Sequence, residues 1–158
     1  MRPPTRLITD AHDQVRELYG SAIGRSKYDV STPALVVEPA ILRQNLGTMQ
    51  ARLPQLHARL RGHVKNHKSP HICRLQLEYG AFGVCAATVW EAIVMVRAGA
   101  DDVLIANQLV TPHKRRAAAL LAREANVLVN VDDASDAEGL SAAAVAAGST
   151  IGDRKSVV

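Results

Sequence analysis

Apolar residues follow two alternating rhythms along the chain, short unbroken runs and longer stretches at helical spacing. The short runs are Ala34–Val37, Phe82–Ala87, Asp102–Ala106 and Val127–Val131, each brief, mostly aliphatic and rich in β-branched residues. Runs of that kind suit parallel strands covered on both faces. Between them Ile41, Leu42, Leu46, Met49 and Leu53 recur at helical spacing as far as Pro54. Ile72, Leu75 and Tyr79 do the same up to Gly80, and Ile93, Met95 and Val96 up to Gly99. A helix opening at Thr111-Pro112 runs through Leu120 and Leu121 to Ala125, and Ser135–Ala147 forms another that stops at Gly148. The punctuation agrees: Pro39 and Pro70 fit first helical turns, Ser69 fits an N-cap, and Thr88 stands three residues before Glu91 as in a capping box.

Strands and helices in strict alternation predict an α/β fold, a parallel sheet with right-handed crossovers. A full (β/α) barrel needs eight such units. About five are legible here, so a partial barrel is expected, with a sixth strand beginning at Ser149-Thr150-Ile151. Residues 1–30 read as a polar lead with a short surface helix over Asp10–Tyr19. Residues 153–158 are charged and unlike a buried strand. They read as a translated sequencing adapter, so native coding is expected to end near Gly152.

Composition narrows the class. Hydrophobic residues make up 47% of the 158 and charged residues 22%, which is ordinary globular chemistry. A net charge of +4, scattered, and only 3% aromatics offer neither a basic face nor a stacking platform for nucleic acid. Cys73 and Cys85 form no paired motif and read as buried thiols in a reducing compartment. No run is long and apolar enough to span a bilayer, and Pro3, Pro4, Asp10 and Asp13 interrupt any secretory signal. A cytoplasmic protein is expected, without nucleic-acid or membrane partners.

Chemistry concentrates in Arg61-Gly62-His63-Val64-Lys65-Asn66-His67-Lys68. As a strand, this run puts His63, Lys65 and His67 on one face. Three basic groups pack poorly in a sheet but suit an anion pocket, or a lysine whose amine neighbouring cations make nucleophilic. The other reading is a solvated basic loop. Two histidines two apart on a strand also bind metal in other proteins, but no acidic or thiol partner adjoins them, and no metal ligand is assigned. Asn107 and Gln108 end one apolar strand and Asp132 and Asp133 another, on the barrel end where active sites lie. Thr88 reads as a helix cap, Trp90 as core, Asp133 as a helix start, and the arginines over 43–61 as a solvated face.

The basic run resembles the R-P-H-x-K-x-H-K segment of the D-threonine aldolase and D-serine dehydratase family, with Gly62 in place of the proline and Asn66 in place of the usual threonine. Residues 31–38 (Ser-Thr-Pro-Ala-Leu-Val-Val-Glu) resemble that family's opening strand, and Ser69-Pro70 through Glu78 its next helix. Residues 83–92 and 104–108 are similar to its following strand ends.

The resemblance covers residues 31–152. It implies a partial pyridoxal-phosphate-binding (β/α) barrel of the alanine-racemase amino-terminal type. It implies Lys65 as the catalytic residue carrying the cofactor as a Schiff base. His63 and His67 beside it either orient the cofactor or are hydrogen-bonded structural groups, with His63 the cofactor-binding candidate. Asn107, ending a strand on the active face, is placed as a cofactor contact. It further implies a lyase acting on a D-β-hydroxy amino acid, by retro-aldol cleavage or by elimination. A divalent metal whose ligands lie outside this chain, and a homodimeric complete enzyme, belong to the same expectation. The alternatives are a non-catalytic pyridoxal-phosphate carrier and an inactive gene fragment.

Overall fold

The computed structural model describes residues 13, 16–17 and 19–155. The helix expected over Asp10–Tyr19 lies largely outside the described residues. The chain divides into two compact units, Met1–Pro39 and Ala40–Val158. The first holds single 3-10 turns at Gly20–Ala22 and Lys27–Asp29, the second of these capped by the Ser26 hydroxyl, which accepts from the Tyr28 N–H.

The larger unit alternates strand and helix. Its elements are α1 (Pro39–Arg52), β1 (Arg61–His63), α2 (Pro70–Glu78), β2 (Gly83–Ala86), α3 (Val89–Arg97) and β3 (Asp102–Ile105), followed by α4 (Pro112–Leu121), β4 (Asn126–Val131), α5 (Ala134–Ala147) and β5 (Gly152–Lys155). The five strands form one parallel sheet in sequence order, β1-β2-β3-β4-β5. Each crossover therefore steps to the adjacent strand in the same direction. Right-handed crossovers in that order leave every connecting helix on one face. This is the winding of a (β/α) barrel, and the unit is a partial one.

Alternation along the strands divides the sheet. Val84 and Ala86, Val103 and Ile105, and Val127, Val129 and Val131 form one buried cluster with Cys73 of α2, Val89, Ala92 and Met95 of α3, Ala118 and Leu121 of α4, and Leu140 of α5. Met95 is fully buried, and its truncation to Ala would cost about 2–5 kcal/mol. The opposite face carries His63, Cys85, Leu104, Leu128 and Gly152 in one row across the sheet.

The helix ends obey the sequence. Ser69 caps α2 by accepting from Ile72 N–H, Thr88 caps α3 by accepting from Glu91 N–H, and Asp133 caps α5 by accepting from Ser135 N–H. Gly80, Gly99 and Gly148 take positive φ after α2, α3 and α5, as helix-stopping glycines do.

Several expectations are corrected. Ala34–Val37 joins no ladder, and Leu35 is 99% exposed. Apolar β-branched composition supplies strand propensity but not a neighbour, and a strand exists only where its N–H and C=O groups meet one. The fifth strand is instead Gly152–Lys155, so the ladder continues into the charged run beyond the expected start at Ser149. The basic strand ends at His63, and residues 65–67 form a turn. Helix α4 ends at Leu121, short of Ala125.

Trp90 is 52% exposed and stacks on His113 at 6.4 Å between centroids. Helix α3 turns Val89, Ala92 and Met95 inward, which places Trp90 with Val94 and Arg97 on its outer stripe. Arg61 is no solvated arginine either. It pairs with buried Asp102, Nε to Oδ1 at 2.5 Å. Cys73 is buried as expected, Cys85 only partly, and both are free thiols.

Candidate active site at the carboxyl ends of the strands

Lys65 sits on a turn that the local sequence braces from three sides. Val64 N–H donates to Cys85 O at 2.9 Å, which carries the β1–β2 pairing one residue past His63, and the Val64 side chain is fully buried. Lys68 N–H donates back to Val64 O at 2.8 Å, closing the turn, with Lys68 in the left-handed region at φ 49. Beyond it, Lys68 Nζ pairs with Glu91 Oε1 at 3.3 Å. His67 Nδ1 accepts from Ser69 N–H at 3.0 Å, joining the turn to the cap of α2. Lys65 and Asn66 are left exposed at the tip.

His63 and His67 part company. His63 keeps to the strand and its Nδ1 accepts from Lys65 N–H at 3.2 Å, so the neutral ring carries its proton on Nε2. His67 turns away toward α2, because the backbone stops alternating after Val64. The expected common face of His63, Lys65 and His67 therefore fails at His67. Burial pushes the His67 imidazole below its ordinary value, opposed by the Gln76 side chain and Ser69 N–H. Burial raises the Cys85 thiol, against the nearby positive charges of Arg154, Arg61 and Lys65.

The rest of this rim is held by side chains reaching to the neighbouring strand. Asn107 Nδ2 donates to Ala87 O at 2.7 Å, and Asn130 Nδ2 donates to Ala106 O at 2.8 Å. Gln108 Nε2 donates to Asp132 Oδ2 at 3.0 Å. Glu91 Oε2 accepts from Ala87 N–H at 2.8 Å. Burial works against the Glu91 charge, but Ala87 N–H, Lys68 and Thr88 outweigh it and hold the carboxyl below its ordinary value. A recess of about 170 Å³ lies between the loops after β2 and β3, bordered by Thr88, Trp90, Asn107, Gln108 and Lys114.

The structure thus puts Lys65 and His63 together, with Asn107 two strands away on the same rim, about 10 Å across the sheet at ordinary strand spacing. Among the described residues no group of three or more His, Cys, Asp or Glu is placed to hold a metal ion. Sequence reasoning missed Gln76 and the Lys68–Glu91 pair. The capping-box spacing had drawn attention to Glu91, but nothing in sequence tied it to Lys68.

Residues 37–152 match the model of the alanine racemase N-terminal domain, and the chain belongs to that family. Over 122 residues it is 42% identical to a D-threonine aldolase of Arthrobacter sp, covering 77% of this chain and 32% of that enzyme. It is 31% identical over 113 residues to a D-threo-3-hydroxyaspartate dehydratase of Delftia sp. (strain HT23), covering 72% of this chain and 30% of that one. The crystal structure of D-threonine aldolase from Filomicrobium marinum superposes with a TM-score of 0.79 at 43% identity, covering 82% of this chain and 35% of that one. The chain spans about a third of the length of the curated relatives it matches.

Proposed function

We propose that this chain is the lysine-bearing part of a pyridoxal-phosphate-dependent lyase acting on D-β-hydroxy amino acids, with Lys65 as the cofactor amine. The observation that carries the reading is the position of Lys65. It is an exposed primary amine on a turn braced by Val64, His67 and Lys68, at the carboxyl edge of a parallel sheet where such folds do chemistry.

The donor set fits the aldehyde end of the cofactor: one primary amine, an imidazole that bonds the backbone of that amine's own residue, and an amide on the same rim. When bound, the cofactor supplies an electron sink for charge developing at the substrate Cα. The chain's own groups then have defined tasks. Lys65 Nζ holds the cofactor and, once released by substrate, is a free amine able to take a proton. His63, with Nδ1 occupied by Lys65 N–H, offers Nε2–H as a donor. Asn107 has its nitrogen engaged by Ala87 and keeps Oδ1 as an acceptor toward the rim.

Retro-aldol cleavage breaks Cα–Cβ, the β-hydroxyl gives up its proton, and the products are glycine and an aldehyde. The 42% identity to a D-threonine aldolase supports this reaction. Elimination is the second reading, supported by the likeness to the Delftia dehydratase. There the Cα proton and the β-hydroxyl leave, and hydrolysis gives a keto acid and ammonia. A metal near the β-hydroxyl would act as a Lewis acid in either case; its ligands would come from chain beyond the residues described here. The domain reading is 31–152 as the cofactor barrel segment, with 1–30 as a lead.

The test is reductive trapping. Pyridoxal phosphate followed by borohydride should mark Lys65 ahead of Lys27, Lys68 and Lys114, and Lys65→Ala should abolish that mark. Labelling spread evenly over the lysines would reject Lys65 as the cofactor amine. The gene extended to the length of its relatives, assayed with D-threonine for glycine against ammonia, separates the two reactions.

A further inference from the structure

We propose that His67 and Gln76 form a positioning device for Lys65, a ring-to-amide contact that fixes the turn over helix α2; this rests on the reading of Lys65 as the cofactor amine. Gln76 lies in the last turn of α2, and its amide fills the space beside Gly62 of β1. A Cβ at Gly62 would stand 2.6 Å from Gln76 Nε2 and 3.1 Å from its Cδ, so the absent side chain is what lets the amide in.

The ring's tautomer complements it. Because His67 Nδ1 accepts from Ser69 N–H, the neutral ring bears its proton on Nε2, as a donor. His67 Nε2 and Gln76 Oε1 are both buried, and among the described residues neither has a hydrogen-bond partner, the other included. One is a donor and the other an acceptor, and the amide already supports the ring's proton against burial. A buried donor and a buried acceptor left apart each cost about 1–3 kcal/mol, so a small side-chain rotation that pairs the two is favoured over leaving both orphaned.

The consequence falls on Lys65. The turn is closed at one end by Lys68 N–H on Val64 O, and Val64 is anchored in the core. His67 is the side chain that ties the middle of the turn to the sheet and to α2 together, through Gln76 beside Gly62 and through Ser69. With His67 pinned, the backbone of Lys65 cannot swing, and the amine leaves the rim in a constant direction. Without the contact the turn keeps its ends and loses its aim. Neither His67 nor Gln76 needs to touch cofactor or substrate.

Two measurements on the intact chain test this, with Gln76→Leu as the disruptive variant and Gln76→Glu as the one that keeps an acceptor oxygen. The first is amide hydrogen exchange at Lys68 N–H, which needs no cofactor. Gln76→Leu should speed it about tenfold and Gln76→Glu should leave it near wild type, while Val103 and Val129 in the sheet stay protected in both. The second is the ratio of borohydride-trapped pyridoxal phosphate on Lys65 to that on Lys68, which should fall severalfold in Gln76→Leu and recover in Gln76→Glu.

Lys68 protection and Lys65 selectivity both unchanged in Gln76→Leu overturns the device while leaving the cofactor reading intact. Wild-type protein that marks Lys65 no faster than Lys68 overturns the cofactor reading and the device's purpose with it, and the exchange data then show only that the contact is structural. Faster exchange without loss of Lys65 selectivity also overturns the device, because it means the turn does not aim the amine.

Discussion

At the amino-terminal edge of the sheet, Arg61 and Asn126 close a network around the buried Asp102 carboxylate; just past β1, at the other edge, Lys65 stands exposed on a turn. Asp102 is 6% exposed and both its oxygens are occupied. Oδ1 accepts from Arg61 Nε at 2.5 Å, and Oδ2 from Arg61 Nη2 at 3.1 Å and Asn126 Nδ2 at 2.7 Å. Gly83 between them has no room for a side chain. At the carboxyl edge Asn107 and Asn130 bond backbone carbonyls of neighbouring strands, and Lys65 and Asn107 face solvent. Both edges are polar, but one is self-satisfied and the other is not. In parallel barrels the first kind of edge stabilises and the second does chemistry.

The sharpest way to break that comparison is Asp102→Ala. It removes the acceptor of three hydrogen bonds and leaves Arg61 and Asn126 without their partner, so it should cost about 3 kcal/mol. Urea unfolding followed by circular dichroism would read this as a lower midpoint at unchanged slope. A loss below 1 kcal/mol would mean that the network is hydrated and the two edges are alike.

Next in size is Gly83→Ala. The added Cβ would lie 2.5 Å from the Asp102 backbone oxygen and 2.7 Å from its Oδ1, and no rotamer relieves a backbone contact. A cost of about 1–3 kcal/mol is expected. Gly62→Ala, one residue along β1 from Arg61, meets the Gln76 side-chain amide rather than backbone and should cost less. Equal costs at the two glycines would mean that the Gln76 amide is held as firmly as the Asp102 backbone.

Local rules explain what could be read ahead of the structure. Ser69, Thr88 and Asp133 were recognisable caps because an N-cap is satisfied within three residues of itself. The aliphatic runs of β2, β3 and β4 were recognisable because both sheet faces there demand the same residues. Ala34–Val37 had equal propensity and failed, since pairing depends on chain far away in sequence. Lys65 was legible through its motif. The turn that carries it was not, because Val64, Lys68 and Glu91 come together only after β1 and β2 have paired. Gln76 was illegible for a further reason: its role depends on a missing side chain at Gly62, which sequence shows only as a glycine.

Acid should act on the carboxyl edge in two stages. His67 has its folded value lowered, so below its ordinary value of 6.5 the unfolded chain binds the proton more readily than the folded one, and stability falls as pH drops through that region. Glu91 is also lowered, so its contribution is present above its ordinary value of 4.5 and is lost as pH falls further. Stability measured against pH should therefore decline in two stages, and His67→Asn should erase the upper one. A profile unchanged by His67→Asn would place that stage elsewhere.

The smallest effect on folding should come from Lys65→Ala. The side chain is exposed at the tip of its turn, and surface substitutions of this kind stay within about 0.5 kcal/mol. Its backbone N–H, the donor to His63, survives the change. The urea midpoint should therefore coincide with wild type while trapping of pyridoxal phosphate at this position vanishes. Asp102→Ala should show the reverse, a large shift in midpoint with Lys65 still the preferred lysine in whatever fraction remains folded. A Lys65→Ala protein destabilised by more than 1 kcal/mol would mean the amine is itself part of the bracing. The carboxyl edge would then be self-satisfied in the same sense as the amino-terminal one.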